Sequence, residues 1–429
     1  MLDIVRPDDR RYADLRHVYT ATGAPAAVVR PRSTAEVAEA LGFARDAEGP
    51  LSIRSGGHGI SSVSTNQHGT VIDLSRLDTI ERVGSDSDLV RIGPGARWGE
   101  VAAALYPWGL AISSGDSGDV GVGGLATAGG IGLMGRAHGL TIDRVTAVEL
   151  VTSDGSVLAL DSERHPDLFW AVRGAGANLG IVTSLEFRAS RTPVVARATL
   201  QYRVDRLAPF LRAWGETVEA APREISAFLQ LMGGGFALAT VVHAGDDPAV
   251  AGRDLTPFLS VAPLVGRRAQ LLPYAAVVTA ARAPHRGRQG GRTHSGLAVH
   301  LDGELSERLE GLARAGFGEL LQIRSVGGAV NDVPADATAY AHRHQNFSIT
   351  AVAPYASPEF DEAWAAVHPS LDGLYLSFES AFTPERLAEA YPGTTLQRLR
   401  DIKRRIDPDN VFHQNFPVAG VPADNGAGV

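Results

Sequence analysis

The chain has 429 residues, 44% of them hydrophobic, enough for two domains or one large domain with an insertion. Its 48 acidic residues outnumber 40 lysines and arginines, and the net charge of -8 argues against nucleic acid or an anionic membrane as a partner drawn by bulk charge. Cysteine is absent, so disulfides, thiolate metal sites and cysteine nucleophiles are excluded, and no metal site is expected.

The opening MLDIVRPDDRRYADL lacks the basic start, apolar stretch and cleavage site of a signal peptide. No run approaches about 18 uninterrupted apolar residues, and a cytoplasmic protein is expected. STAEVAEALGFARDA pairs Ser33 with Glu36 as a capping box ahead of apolar residues at helical spacing, which predicts an amphipathic helix. LSIRS reads as a strand with RSGGHG at its end. TVIDLSRL and LVRIGPG read as further strands, WGEVAAALYPWG as a helix, and VELVTSDGSVLAL as two apolar runs turning at Asp154-Gly155.

Glycine concentrates in 115–139 and 174–180, where the chain must turn tightly or lie close to something. GAGANLG reads as a loop entering the strand IVTSLEF. From about residue 192 the texture changes to TPVVARATLQYRV, to helical stretches such as SERLEGLARAGFGELL, and to the basic ARAPHRGRQGGRTH, which reads as a solvated loop. LQRLRDIKRRIDPDNVFHQNFPV closes a helix with a Pro-Asp turn, and VPADNGAGV reads as a frayed terminus.

Backbone N–H groups of a glycine turn converge into an anion-binding concavity, so RSGGHG suits a phosphate or pyrophosphate. GVGGLA formally matches the dinucleotide fingerprint through Gly121, Gly123 and Ala126, with Asp143 downstream. The residues before it, SSGDSGDV, are not the apolar strand that fingerprint requires. A nicotinamide-dependent Rossmann dehydrogenase is therefore the alternative rather than the first reading. Together the three glycine motifs could line one long ligand of the shape of a flavin dinucleotide.

RSGGHG with TVIDLSRL, then GDVGVGGLATAGGIGLMGRAHGLTIDRV, then HPDLFWAVRGAGANLGIVTSLEF resembles the FAD-binding domain of the vanillyl-alcohol-oxidase and p-cresol-methylhydroxylase-like (PCMH-type) flavoproteins. RLRDIKRRIDPDNVFHQN is similar to the closing segment of the berberine-bridge-enzyme-like branch. The resemblance implies an α+β protein: a two-part FAD-binding domain, 1–192 and 386–429, around an inserted substrate domain, 193–385, with an antiparallel sheet. It implies FAD bonded through a ring nitrogen of His58, with Arg54, Ser55, Gly56, Gly57 and Gly59 around the pyrophosphate. Ser117, Val120, Gly121, Gly124, Thr127, Gly132, Gly180, Val182 and Asn415 match further cofactor positions. A neutral imidazole nitrogen is a competent nucleophile, and a covalent tether makes the flavin a stronger oxidant. Where many relatives carry a second link from cysteine, this chain has Ser117, so a single link is expected. Val120 stands at a position the family associates with oxygen reactivity, which implies O2 as electron acceptor.

Two departures bear on chemistry. The Tyr-x-x-Tyr pattern, which the family carries on a strand, reads here in LYLSFES as Tyr375 and Phe378, and Ile131 stands where some relatives place a tyrosine near the substrate. Removing hydride from an alcohol needs a base for the hydroxyl proton, a contribution of roughly two to four orders of magnitude, and a neutral amine does not. The expected activity is an FAD-dependent oxidase acting on a small organic amine or alcohol. Tyr375 and Glu379 are the candidate catalytic groups and Ile131 and Phe378 the candidate substrate contacts. The alternatives are the Rossmann dehydrogenase and a flavin-binding protein without turnover.

Overall fold

A computed structural model describes residues 1–280, 286–287, 291–317 and 321–420. The terminus 421–429 and most of the basic segment, 281–285 and 288–290, lie outside the described residues, as do 318–320 of the expected SERLEGLARAGFGELL helix.

Strands β1 (Ile4–Val5), β2 (Ala27–Val29), β3 (Leu51–Arg54) and β4 (Thr70–Asp73) form a small sheet ordered β1-β2-β4-β3. β3 and β4 run parallel and are almost fully buried. The helix Thr34–Asp46 starts where expected: Ser33 Oγ accepts from Glu36 N at 3.2 Å. Only half of the capping box forms, because the Glu36 carboxylate takes the Arg32 N–H at 2.8 Å instead. Val37, Ala40, Leu41 and Ala44, at helical spacing, bury against Val29, Leu51 and Ile72.

A second sheet joins β5 (Ile80–Arg82), β6 (Leu89–Ile92), β7 (Val145–Val151), β8 (Val157–Leu160) and β9 (Ile181–Arg188) in the order β5-β6-β9-β7-β8. The Asp154-Gly155 hairpin joins β7 to β8 as read from sequence. LFWAV lies in a helix, Pro166–Ala175, which packs on this sheet.

The third sheet is antiparallel and holds β10 (Val194–Arg203), β11 (Ile225–Leu231), β12 (Phe236–His243), β13 (Leu264–Pro273), β14 (Arg292–Ala298), β15 (Leu321–Ser325) and β16 (Phe347–Ala353) in the order β13-β10-β12-β11-β15-β16-β14. Its two faces differ in kind. Ala227, Leu229, Ala239, Val241, Ile323 and Ile349 form one face, packed on Trp214, Leu305 and Leu309, and Trp364 of the helices Leu207–Ala220, Gly303–Leu312 and Pro358–Val367. On the other face Thr240 stands opposite Phe228, Phe228 opposite Arg324, and Arg324 opposite Ser348; one step along, Gln230 pairs with Gln322, and Gln322 with Thr350. Because side chains alternate along a strand, these polar residues share one face. That face turns toward the glycine-rich segment.

Buried polar contacts join this sheet to the rest of the chain. Arg136 donates to the carbonyls of Ile225 (2.8 Å) and Ala221 (3.1 Å). Arg343 grips Asp143 with two bonds, 2.8 and 2.7 Å, and also donates to Thr338 Oγ1 and Tyr340 O. At the C-terminal end, buried Lys403 of the helix Thr395–Ile406 donates to Asp407 (2.5 Å), Asn178 O and Phe412 O (both 2.8 Å), and Val418 N donates to Asn178 Oδ1. GAGANLG is thereby the anchor for the returning C-terminal segment. Among the described residues no helix is long and apolar enough to cross a membrane.

Candidate active site

β3 ends at Arg54, and Ser55–Gly59 leaves the sheet as a turn in which Gly57 has φ +69. A Cβ on Gly56 would come within 2.3 Å of Gly121 N, and one on Gly121 within 2.2 Å of Gly56 N. The two motifs touch because both lack a side chain there. Ser55 Oγ ties the contact by donating to Pro94 O at 2.5 Å. His58 is half-buried, its ring stacked on Tyr19 at a centroid distance of 4.6 Å and 12° between planes. Burial, and after it the Asp116 carboxylate, raises the Tyr19 phenol pKa. Asp116 thus lies within electrostatic reach of the ring that supports His58.

Arg54 commits Nε and Nη2 to Asp73 at 2.8 and 2.5 Å, leaving Nη1 buried without a partner among the described residues. Burial alone would push the Asp73 carboxyl up, but the Arg54 guanidinium and Ser75 hold it below the usual range. Arg54 therefore braces the base of the turn. Gly59 is exposed, with only Ser61 Oγ at 4.0 Å from an added Cβ, and Ser61 Oγ donates to Asn415 Oδ1 at 3.3 Å. The C-terminal motif is thus brought to the RSGGHG turn.

In the 115–139 segment Gly121 precedes the short helix Val122–Ala128, on which Gly124 is exposed with open space around it. Val120 is half-buried, and Ser117 Oγ accepts from Asp119 N at 3.4 Å. Thr127 Oγ1 closes on Gly123 O at 2.8 Å, and its Cβ would stand 2.6 Å from a Cβ on Gly176. Gly132 lies against Ser113 and Ser114, Gly180 against Val151 O, and Val182 is buried in β9. Close packing accounts for Thr127, Gly132, Gly180 and Val182. His58, Gly59, Val120, Gly124 and Asn415 retain accessible surface.

Tyr375 is buried beneath the same segment, where its hydroxyl accepts the Gly130 N–H at 2.9 Å. Burial raises its pKa against that bond, so the phenol keeps its proton at neutral pH. Phe378 packs edge-on against Tyr375 at 5.4 Å, and Ile131 is buried. The strand expected at LYLSFES is a tight turn, Leu376–Phe378. Phe378 N and Glu379 N are satisfied locally by Tyr375 O and Leu376 O at 3.1 Å, not by a neighbouring strand. Glu379 is a correction as well. It is fully buried, with its carboxylate on Ser295 N (3.2 Å), Ala381 N (2.8 Å) and His294 Nδ1 (3.2 Å), so it holds β14 and does not face the cleft.

Between the polar face of the third sheet and the glycine segment lies a cavity of about 220 Å³. Asp116, Leu133 and Val277 line one side, and Arg197, Phe228, Gln230, Thr240, Gln322 and Arg324 the other. Arg324 donates through Nη2 to Asp116 at 3.3 Å and Gln322 at 2.6 Å, and its guanidinium lies 4.2 Å over the Phe378 ring. Sequence reading missed these residues. The available signal was period-two polarity inside apolar runs, Gln322 and Arg324 in LQIRS and Gln230 in FLQL, which marks a sheet face not buried by helices.

A glycine cradle with accessible backbone, an orphaned buried Arg54 Nη1 beside it and a half-buried histidine at its rim fit a phosphate-bearing cofactor such as FAD. With the polar cavity lined by Asp116, Gln322 and Arg324, the arrangement is that of a flavin-dependent oxidoreductase. Residues 25–161 match the family model described as FAD binding domain, and residues 375–419 that described as berberine and berberine like. The chain thus carries an FAD-binding domain and a berberine-like segment, is similar to the berberine-bridge-like FAD-linked oxidases, and is an FAD-dependent enzyme. It is 28% identical to (R)-6-hydroxynicotine oxidase of Paenarthrobacter nicotinovorans, over 97% of this chain and 96% of that one. Among solved structures, a chitooligosaccharide oxidase superposes with TM-score 0.86 at 25% identity, covering 97% of both chains. The glucooligosaccharide oxidase of Acremonium strictum, described as carrying 6-S-cysteinyl, 8α-N1-histidyl FAD, superposes with TM-score 0.84 at 23% identity, again over 97% of both.

Proposed function

We propose that this enzyme oxidises a small organic substrate with FAD tethered through His58 alone and passes the electrons to O2. The observation that carries the single tether is chemical: Ser117 occupies the second position and the chain has no cysteine, so a 6-S-cysteinyl bond cannot form. His58 stands at the rim of the cradle with its ring plane set by Tyr19. Ser55 to Gly59, Gly121, Gly124 and Asn415 would hold the cofactor, which when bound supplies the acceptor for a hydride. Each turnover removes a hydride and a proton from the substrate, and O2 leaves with two electrons and two protons as hydrogen peroxide.

The side chains favour a carbon–nitrogen bond as the site of oxidation. Tyr375 is held protonated against Gly130 N–H, Glu379 is committed to His294, and Phe378 and Ile131 carry no proton. A neutral amine needs no base, because its lone pair drives the hydride out. An alcohol would have to use Asp116, the one carboxylate among the cavity-lining residues. Anaerobic titration of the yellow protein with a panel of amines, sugars and aromatic alcohols tests the reading. Bleaching by an amine, with peroxide formed when air is readmitted, is expected; a flavin that no member bleaches would contradict turnover.

A further inference from the structure

Arg324 is 5% exposed, yet its Nη1 has no partner among the described residues. The side chain of Arg197, half-buried on the same side of the cavity, forms no hydrogen bond or ion pair among them. A buried charged donor left unmade is costly, and such groups persist where a ligand completes them. Beside Arg324 on the same sheet face, Ser348 Oγ, Thr350 Oγ1 and Ser295 Oγ are also buried and unpartnered. Gln322 gives its carbonyl oxygen to Arg324, which leaves its amide nitrogen to donate. The lining offers two guanidiniums against one carboxylate, Asp116, whose side chain is 43% exposed.

We propose that this cavity takes a carboxylate, clamped by Arg324 and Arg197, so that the natural substrate is an amine or alcohol that also bears an acid group. A hydroxyl could accept from Arg324 Nη1 but would leave the Arg197 charge uncompensated, because Asp116 pairs with Arg324 alone. A carboxylate satisfies both the geometry and the charge, and bonds between ionised partners are the stronger ones. Asp116 holds Nη2 from the glycine-segment side, so the free nitrogen is left for the ligand and the guanidinium is kept in place over Phe378.

The proposal rests on the oxidase reading for its consequence, and calorimetry separates the two, since it reads binding without turnover. Isothermal titration of the FAD-loaded enzyme with benzoate, and with benzamide as the neutral isostere, should show benzoate binding at least tenfold tighter. Arg324→Gln should lose about tenfold or more in benzoate affinity with benzamide unchanged, Arg197→Gln should lose less, and Asp116→Asn should gain. Asp116 is exposed, so that variant tests the site even if Arg324→Gln fails to fold. Equal affinity for benzoate and benzamide, or benzoate affinity unmoved in both Arg324→Gln and Asp116→Asn, would overturn the proposal. If benzoate binds as expected while no substrate reduces the flavin, the clamp stands and the oxidase reading falls.

Discussion

Two arginines, Arg343 and Arg324, cross from the second half of the chain to aspartates of the FAD-binding half, one within the glycine-rich segment and one just after it, and both are buried. Arg343 meets a carboxylate that is 9% exposed, with two bonds to it and two more to Thr338 and Tyr340. Arg324 meets one that is 43% exposed, through a single nitrogen, with another left unpartnered. The first pair is complete and fastens the connection between β15 and β16 to the FAD-binding half. The second is incomplete and borders a cavity. The difference separates a structural ion pair from a binding group without any appeal to where either stands in the sequence.

Variants should break the two pairs unequally. Arg343→Ala leaves the Asp143 charge buried and should cost about 3–5 kcal/mol in a urea melt. Arg324→Gln removes an incompletely satisfied charge and should stay within about 1 kcal/mol of the parent. Equal losses would erase the distinction.

A titration on the Arg343 side sharpens it. His342 is buried, and burial lowers its pKa to about 4. A histidine with a depressed folded pKa takes its proton first in the unfolded chain, so its stabilising contribution is complete above about pH 6.5 and declines as pH falls toward 4. The shift corresponds to roughly 3 kcal/mol over that window. Melting temperatures between pH 6.5 and 4 should therefore fall less steeply in His342→Leu than in the parent; parallel slopes would show that other groups set the acid limit. The smallest expected effect calibrates the rest: Ser33→Ala removes one exposed helix cap and should cost about 1 kcal/mol.

The FAD-binding half was legible because its function is written in backbone. Gly56 and Gly121 must be glycine to touch, and the proposed tether needs a histidine at 58, so RSGGHG and GVGGLA carry their purpose in residue type. Close packing at Gly132 and Gly180 produces the same letters, and sequence alone did not separate them from the accessible Gly59 and Gly124. The cleft was not legible. Arg324, Gln322 and Gln230 are ordinary surface residue types, and only the pairing of β11, β15 and β16 sets them on one inward face. LYLSFES misled for a related reason: its alternation suits a strand, but tertiary bonds from Tyr375 to Gly130 and from Glu379 to Ser295 pull its two ends apart into a turn.

The central claim is one covalent bond at one histidine, and the intact mass of the denatured protein tests it most directly. The parent should be heavier than its sequence by one FAD, and His58→Ala should show the bare polypeptide mass while still binding FAD in the folded state. A parent of bare mass, or a His58→Ala protein that keeps the added mass, would contradict the assignment.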